Sequence, residues 1–159
     1  MRAQELIIDN DQDHRRELER TGFWGRAAAG SIIFAKSTNR FCLAHRSSRV
    51  KEPNTWGIWG GAMDLNEDPK KTAYRELYEE TGYLGEVNLQ YLWTFKHHSG
   101  FTYTNFVAII DEEFIPKLNW ETQDFIWVEF GNWPTPLHPG VSIMLNRADV
   151  QEKLVNLLV

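Results

Sequence analysis

Cysteine is nearly missing from this chain. Cys42 is the single one in 159 residues, so no disulfide can close within the chain, and a reducing compartment suits it. Long apolar runs are missing too: no stretch approaches the ~20 consecutive apolar residues that span a bilayer. The opening Met-Arg-Ala-Gln-Glu lacks the apolar segment of a secretion signal. These absences predict a soluble, cytoplasmic protein with no membrane partner. Positive charge is in deficit, with 17 Lys and Arg against 22 Asp and Glu and a net charge of −5. A binder of long nucleic acid would ordinarily be basic, so none is expected as a partner. A small nucleotide is not excluded, because metal ions can bring phosphate to an acidic site. No internal repeat, low-complexity tract or Pro/Gly/Ser linker marks a second domain. The chain therefore reads as one domain over residues 1–159, long enough to bury about two-thirds of its unfolded surface. Within it, residues 1–21 form a peripheral or partly disordered lead-in, whose charged part, residues 10–21, could be a short surface helix. Aromatic residues make up 13% of the chain, with seven Trp. That supplies core material and would allow a homodimer.

Short apolar segments bounded by turn residues predict strands. Gly30 to Ala35 and Arg40 to His45 are joined by the turn-like Ser37-Thr38-Asn39. Leu89 to Phe95 and Phe101 to Ile110 form a second pair around His97-His98-Ser99-Gly100, and Phe125 to Phe130 is a further strand. Trp56 to Gly61 reads as a strand running into a glycine turn, where backbone carbonyls can approach a metal or phosphate closely. Trp133-Pro-Thr-Pro136 breaks the chain, and Val141 to Leu158 is periodic enough for one closing helix. Strands on either side of a central helix, plus a final helix, predict an α/β fold with a central mixed sheet and helices on both faces.

The central helix carries the chemistry. Asp68 is placed as its N-cap, Pro69 fits its first turn, and Gly82 suits the left-handed residue that ends it. Glu76, Glu79 and Glu80 fall at i, i+3 and i+4, so at ~100° per residue they share an arc of roughly 100°. Ala73, Tyr74, Leu77 and Tyr78 occupy the opposite side. Like charges at this spacing repel by ~0.2–0.5 kcal/mol per pair. A cation set against them would relieve that, and a hard divalent ion takes oxygen ligands.

Gly61-x5-Glu67-x7-Arg75-Glu76-Leu77-x-Glu79-Glu80-x-Gly82-Tyr83 resembles the signature of the Nudix hydrolases at every invariant position. The mild departure is Tyr83, where an aliphatic residue is usual. The match covers the 23 residues from Gly61 to Tyr83. Average residue usage puts its chance occurrence on the order of one in ten million. The resemblance implies a Nudix-type α/β/α sandwich and a hydrolase that cleaves the pyrophosphate bond of a nucleoside diphosphate linked to another moiety, using Mg²⁺ or Mn²⁺. It further implies that Glu79 and Glu80 are the main metal ligands and that the Gly60 carbonyl completes the set. Glu76 would be a ligand or the general base, and Arg75 would orient the glutamates. Family members often recruit another carboxylate from a distant loop. Of Glu112, Glu113, Glu121 and Asp124, we favour Glu121, just ahead of the Phe125 strand.

Outside the signature, Arg46, Arg49 and Lys51 are candidates to steer an anionic substrate, although a solvated face is equally consistent. Trp56, Phe101 and Tyr103 are candidates to stack a base. His97-His98 has no companions at zinc-ligand spacing and reads as a polar hairpin tip. Substrate choice is left to the loops. A small nucleotide such as ADP-ribose, a nucleotide sugar or a dinucleoside polyphosphate ranks first. A nucleoside triphosphate is the alternative, and a non-catalytic nucleotide-sensing module is a third reading.

Overall fold

In the computed structural model, the described residues are 26–159 together with 14–16, 18 and 20. Those five are helical; the remainder of the lead-in expected at residues 1–21 lies outside the described residues. The elements are strands β1 (Ala27–Ala35), β2 (Arg40–Arg46), β3 (Trp56–Gly57) and β4 (Trp59–Ala62), then helix α1 (Pro69–Thr81). Strands β5 (Asn88–Lys96), β6 (Thr102–Ile110) and β7 (Thr122–Glu129) follow, and helices α2 (Pro139–Leu145) and α3 (Ala148–Val155) close the chain.

The seven strands form one mixed sheet organised by β1. Its sequence, AAAGSIIFA, is almost continuously buried, as a strand covered on both faces must be. One edge of β1 pairs in parallel with β6 along its whole length, Ala27 to Ala35 against Thr102 to Ile110. The other edge is shared. Ala28 to Ser31 pair antiparallel with β4, whereas Ile33 to Ala35 pair antiparallel with β2. The sheet therefore splits along β1 near Ile32, and α1 lies beside the β4 branch.

Alternation along β1 sends Ala29 and Ile33 to one face, where they pack with Trp59, Ala73, Leu77, Phe106 and Ala108. It sends Ile32 and Phe34 to the other, with Phe41, Leu43, Val107, Met144, Val150 and Leu154. Helix α1 covers the first face, α2 and α3 the second, and the architecture is the α/β/α sandwich expected.

Two expectations are corrected. The closing helix is two helices: Arg147 is extended (φ −77°, ψ 132°) and breaks the run between Leu145 and Ala148. Asp149 accepts hydrogen bonds from the Arg147 guanidinium and from Val150 N, which holds that corner. Gly60 and Gly61 do not form a turn. They lie within β4, opposite Gly30 and Ala29, and their lack of side chains serves close packing.

The ends of α1 are built as the sequence predicts. Asp68 Oδ1 accepts from Lys71 N at 2.8 Å, and Gly82 (φ 73°) donates its N–H to Tyr78 O at 2.8 Å. Removing the cap in Asp68→Ala should destabilise by about 1 kcal/mol, lowering the melting temperature by roughly 2–4 °C. Thermal unfolding followed by circular dichroism checks this.

Candidate active site

Helix α1 does not present one acidic ridge to solvent. Its buried residues are Thr72, Ala73, Leu77, Glu80 and Thr81, whereas Tyr74 and Tyr78 are 40% and 54% exposed. The expected apolar side was thus misplaced. Packing against β1 and β4 is set by the small and aliphatic residues Ala73 and Leu77, and the two tyrosines turn outward. The glutamates divide accordingly: Glu80 is 7% exposed, the Glu76 side chain 13% and the Glu79 side chain 51%.

Glycine lets the carboxylates in. A Cβ on Gly61 would lie 2.5 Å from Glu76 Oε1, so any side chain there would expel Glu76. Glu80 Oε2 accepts the Gly60 N–H at 3.1 Å. Burial is the main cause that raises the Glu76 carboxyl to about 7, and Glu79 and Glu121 add to it. Glu80 is pushed well up as well, first by burial and then by Glu76 and Glu121. A half-buried Glu76 and a buried Glu80, the first acting on the second by charge, form an anionic pocket that is favoured when protonated or met by a cation.

Arg75 is the cation already present, and it is engaged on every side. Its Nε donates to Glu67 Oε2 at 2.7 Å and its Nη2 to Glu67 Oε1 at 2.9 Å. Nη1 donates to Glu76 Oε1 and to Glu79 Oε2, both at 3.0 Å, and Nη2 to Ala62 O at 3.0 Å. Glu67 is held in turn by Asp64 N at 2.8 Å and Thr72 Oγ1 at 3.0 Å. The Arg75 hydrogen bonds, followed by those of Asp64 and Thr72, lower its carboxyl to about 2. The i to i+8 spacing of Glu67 and Arg75 carried no helical signal, because the loop's folded path alone brings them together.

Among the distant carboxylates, Glu113 pairs with Arg40 at 2.6 Å, and Asp124 accepts the N–H of Phe125. Glu121 lies near enough for its charge to act on both Glu76 and Glu80. Its own carboxyl is raised, mainly by burial. Of the basic candidates, Arg46 reaches this region. It sits within electrostatic range of Tyr103, Glu80 and Glu121, its guanidinium donating to Lys51 O. Arg49 and Lys51 stand exposed on the β2–β3 loop. Trp56 is stacked on His45 at 4.3 Å, and Phe101 is 6% exposed.

The donor set fits a hard divalent cation: carboxylates from Glu76, Glu79 and Glu80, with backbone oxygen from β4 adjoining. Among the described residues no three acidic, His or Cys side chains already converge as a finished cage. The hydrogen bonds of Glu79 and Glu76 to Arg75 and the repulsion between Glu76 and Glu80 account for that.

A family model for the NUDIX domain matches residues 24–147. The chain belongs to the Nudix family. A Mycobacterium tuberculosis protein provisionally named 8-oxo-dGTP diphosphatase 3 is 34% identical over 138 residues, covering 79% of this chain and 63% of that protein. The chain thus spans less than two-thirds of that relative's length. Haemophilus influenzae dihydroneopterin triphosphate diphosphatase is 31% identical over 114 residues, covering 61% of this chain and 70% of that one. Among solved structures, the Nudix hydrolase RenU from M. smegmatis superposes with a TM-score of 0.72 at 26% identity, covering 86% of this chain and 91% of its own. A C. elegans Ap4A hydrolase shares the fold, with a TM-score of 0.59 at 21% identity over 81% of this chain and 93% of its own. No helix among the described residues is long and apolar enough to cross a membrane.

The Nudix pocket should leave a pH signature in chelator. A carboxyl whose folded pKa lies above its unfolded value destabilises the fold at pH above both, and that loss is relieved as pH falls through the folded value. For Glu76 the window runs from about 7 down to 4.5. His138, lowered from 6.5 to about 4 chiefly by burial, works in the opposite sense but is common to wild type and variant. Glu80→Gln removes one of the repelling pair. Its gain in melting temperature over wild type should therefore be larger at pH 8, roughly 2–8 °C for about 1–2 kcal/mol, than at pH 5.5. An equal or smaller gain at pH 8 would count against the repulsive pair.

Proposed function

We propose that this protein hydrolyses a phosphoanhydride bond of a small nucleotide, with Mg²⁺ or Mn²⁺ held by Glu76, Glu79, Glu80 and the Gly60 carbonyl, and with Glu121 as the added carboxylate. The observation that carries this is the half-buried Glu76 and the buried Glu80 set against glycines of β4. Such a pair has no structural use that an amide or an apolar side chain would not serve better.

When bound, the metal would neutralise phosphate charge, polarise the phosphorus–oxygen bond and lower the pKa of water. The chain's own residues do the rest. Glu80, anchored by the Gly60 N–H, fixes one oxygen toward the pocket. Arg75 holds Glu76 and Glu79 on one side and is itself fixed by Glu67, so its part is to orient carboxylates and not to bind phosphate. Arg46 supplies positive charge facing Glu80 and Glu121, where it can align an anionic substrate. In the reaction an oxygen–phosphorus bond forms from water and the bridging oxygen–phosphorus bond breaks. The water's proton passes to a carboxylate of this set, with Glu76 suited by its elevated pKa.

The names of two relatives in sequence bear on the choice of substrate. By name both act on triphosphates, an 8-oxo-dGTP and a dihydroneopterin triphosphate. That moves a nucleoside-triphosphate-like substrate, releasing a monophosphate and pyrophosphate, ahead of ADP-ribose, nucleotide sugars and dinucleoside polyphosphates.

A phosphate-release panel run with and without a coupling pyrophosphatase, in Mg²⁺ and in Mn²⁺, tests both levels. Turnover should require the divalent ion, and Glu80→Gln should lower kcat roughly 100-fold or more. Near-wild-type turnover by that variant would refute the assignment. Nucleotide binding without turnover across the panel would instead make the domain a sensor.

A further inference from the structure

Tyr103 is unusually fitted to the strand that adjoins the glutamates. Alternation along β4 points Gly61 at Glu76 on the α1 face and Gly60 at the opposite face. There the Tyr103 hydroxyl rests against both Gly60 and its cross-strand partner Gly30. A Cβ on either glycine would overlap that oxygen. Tyr103, carried by β6 beside β1, thus fills a notch made by two missing side chains. Gly60 touches the phenol on one side while its N–H holds Glu80. Arg46, Glu76 and Glu80 all act electrostatically on the ring oxygen. Burial first, then the charges of Glu80 and Glu76, push the phenol's pKa up, and Arg46 pulls it down; with its oxygen against Gly60, the phenol adjoins the strand where phosphate would lie if the proposed function is right.

We propose that Tyr103 contacts the substrate, its hydroxyl donating a hydrogen bond to a non-bridging phosphate oxygen of the nucleotide from the sheet face opposite α1. A neutral donor here serves a purpose that another cation would not. Arg46 supplies charge, whereas the phenol supplies direction, because its oxygen is set in the notch between Gly30 and Gly60. The competing explanation is that the hydroxyl only fills space and keeps β4 in place for Glu80. The inference rests on the reading of the site as a phosphoanhydride hydrolase.

Tyr103→Phe separates the two explanations, since it keeps the ring and removes only the donor. Binding of α,β-methylene dGTP and of inorganic tripolyphosphate, each with Mg²⁺, would be measured by calorimetry beside Mn²⁺ affinity and thermal unfolding. The variant should bind both phosphate probes ten- to a hundredfold more weakly, the range for a lost hydrogen bond to a charged group. Its Mn²⁺ affinity should stay within about twofold and its melting temperature within about 2 °C, the change expected when neither packing nor the carboxylates are disturbed. Unchanged affinity for the probes overturns the contact. So does a parallel loss of Mn²⁺ affinity or stability, which would make Tyr103 structural. Weakening of the nucleotide but not of tripolyphosphate would also overturn it, by assigning the ring to the base. Failure of the wild type to bind either probe would take down the underlying hydrolase reading, and this inference with it.

Discussion

Repulsion between Glu76 and Glu80, one helical turn apart and both withdrawn from water, is the constraint around which this site is organised. Burial raises both carboxyls and Glu76 raises Glu80 further, and such groups persist only where the surroundings compensate. The compensation is divided. Arg75 bonds Glu76, the Gly60 N–H bonds Glu80, and the missing side chain of Gly61 leaves the room that Glu76 needs. Among the described residues one guanidinium, Arg75, is shared between Glu67, Glu76 and Glu79, so the proposed cation would add charge that this arrangement lacks.

The scaffold supplies rigidity where that repulsion would otherwise push the parts asunder. Ala29, Ile33, Trp59, Ala73 and Leu77 lock α1 to β1 and β4 by packing. The loop between β4 and α1 is then fastened twice, by the Asp68 cap and by Glu67. Because Arg75 reaches Glu67, Ala62 O, Glu76 and Glu79 at once, strand, loop and helix are tied through a single guanidinium. A lysine could not reproduce that pattern: its ammonium offers three donors from one point, whereas the observed bonds use a planar fork. The split of the sheet along β1 gives β4 and β2 successive stretches of one edge, with Arg46 as the last residue of β2.

What the sequence disclosed follows from the range of each signal. The caps at Asp68 and Gly82 and the spacing of Glu76, Glu79 and Glu80 are local, and the structure carries them as read. The buried side of α1 was misjudged because Tyr74 and Tyr78 look apolar in a list of residues, while only the shape of the β1–β4 surface decides which residues pack. Gly60 and Gly61 resembled a turn, since their pairing with β1, some thirty residues earlier, leaves no trace nearby. The break at Arg147 is hard to see because Val141 and Leu145, and again Val150 and Leu154, each keep helical spacing; only the step of five from Leu145 to Val150 turns the second pair about 140° away, and each pair lies on its own helix. Tyr103 was one aromatic among many until its register against Gly30 and Gly60 was known.

Charge around the site leads to a last consequence. Glu76, Glu79, Glu80 and Glu121 face a region in which Arg75 is committed to Glu67 and to two of those same glutamates. Arg46 is the other cation whose field reaches Glu80 and Glu121. A polyphosphate approaching this pocket without metal would meet more negative than positive charge and would be repelled, because partly buried charges are poorly screened by salt. Once divalent ions are held, the sign reverses and the same geometry attracts phosphate. Metal and substrate must then favour each other's binding reciprocally, as linkage requires of any two ligands whose interaction is favourable. On the proposed reading, the acidity of the chain is therefore compatible with an anionic substrate, whose affinity would be conditional on the bound ion.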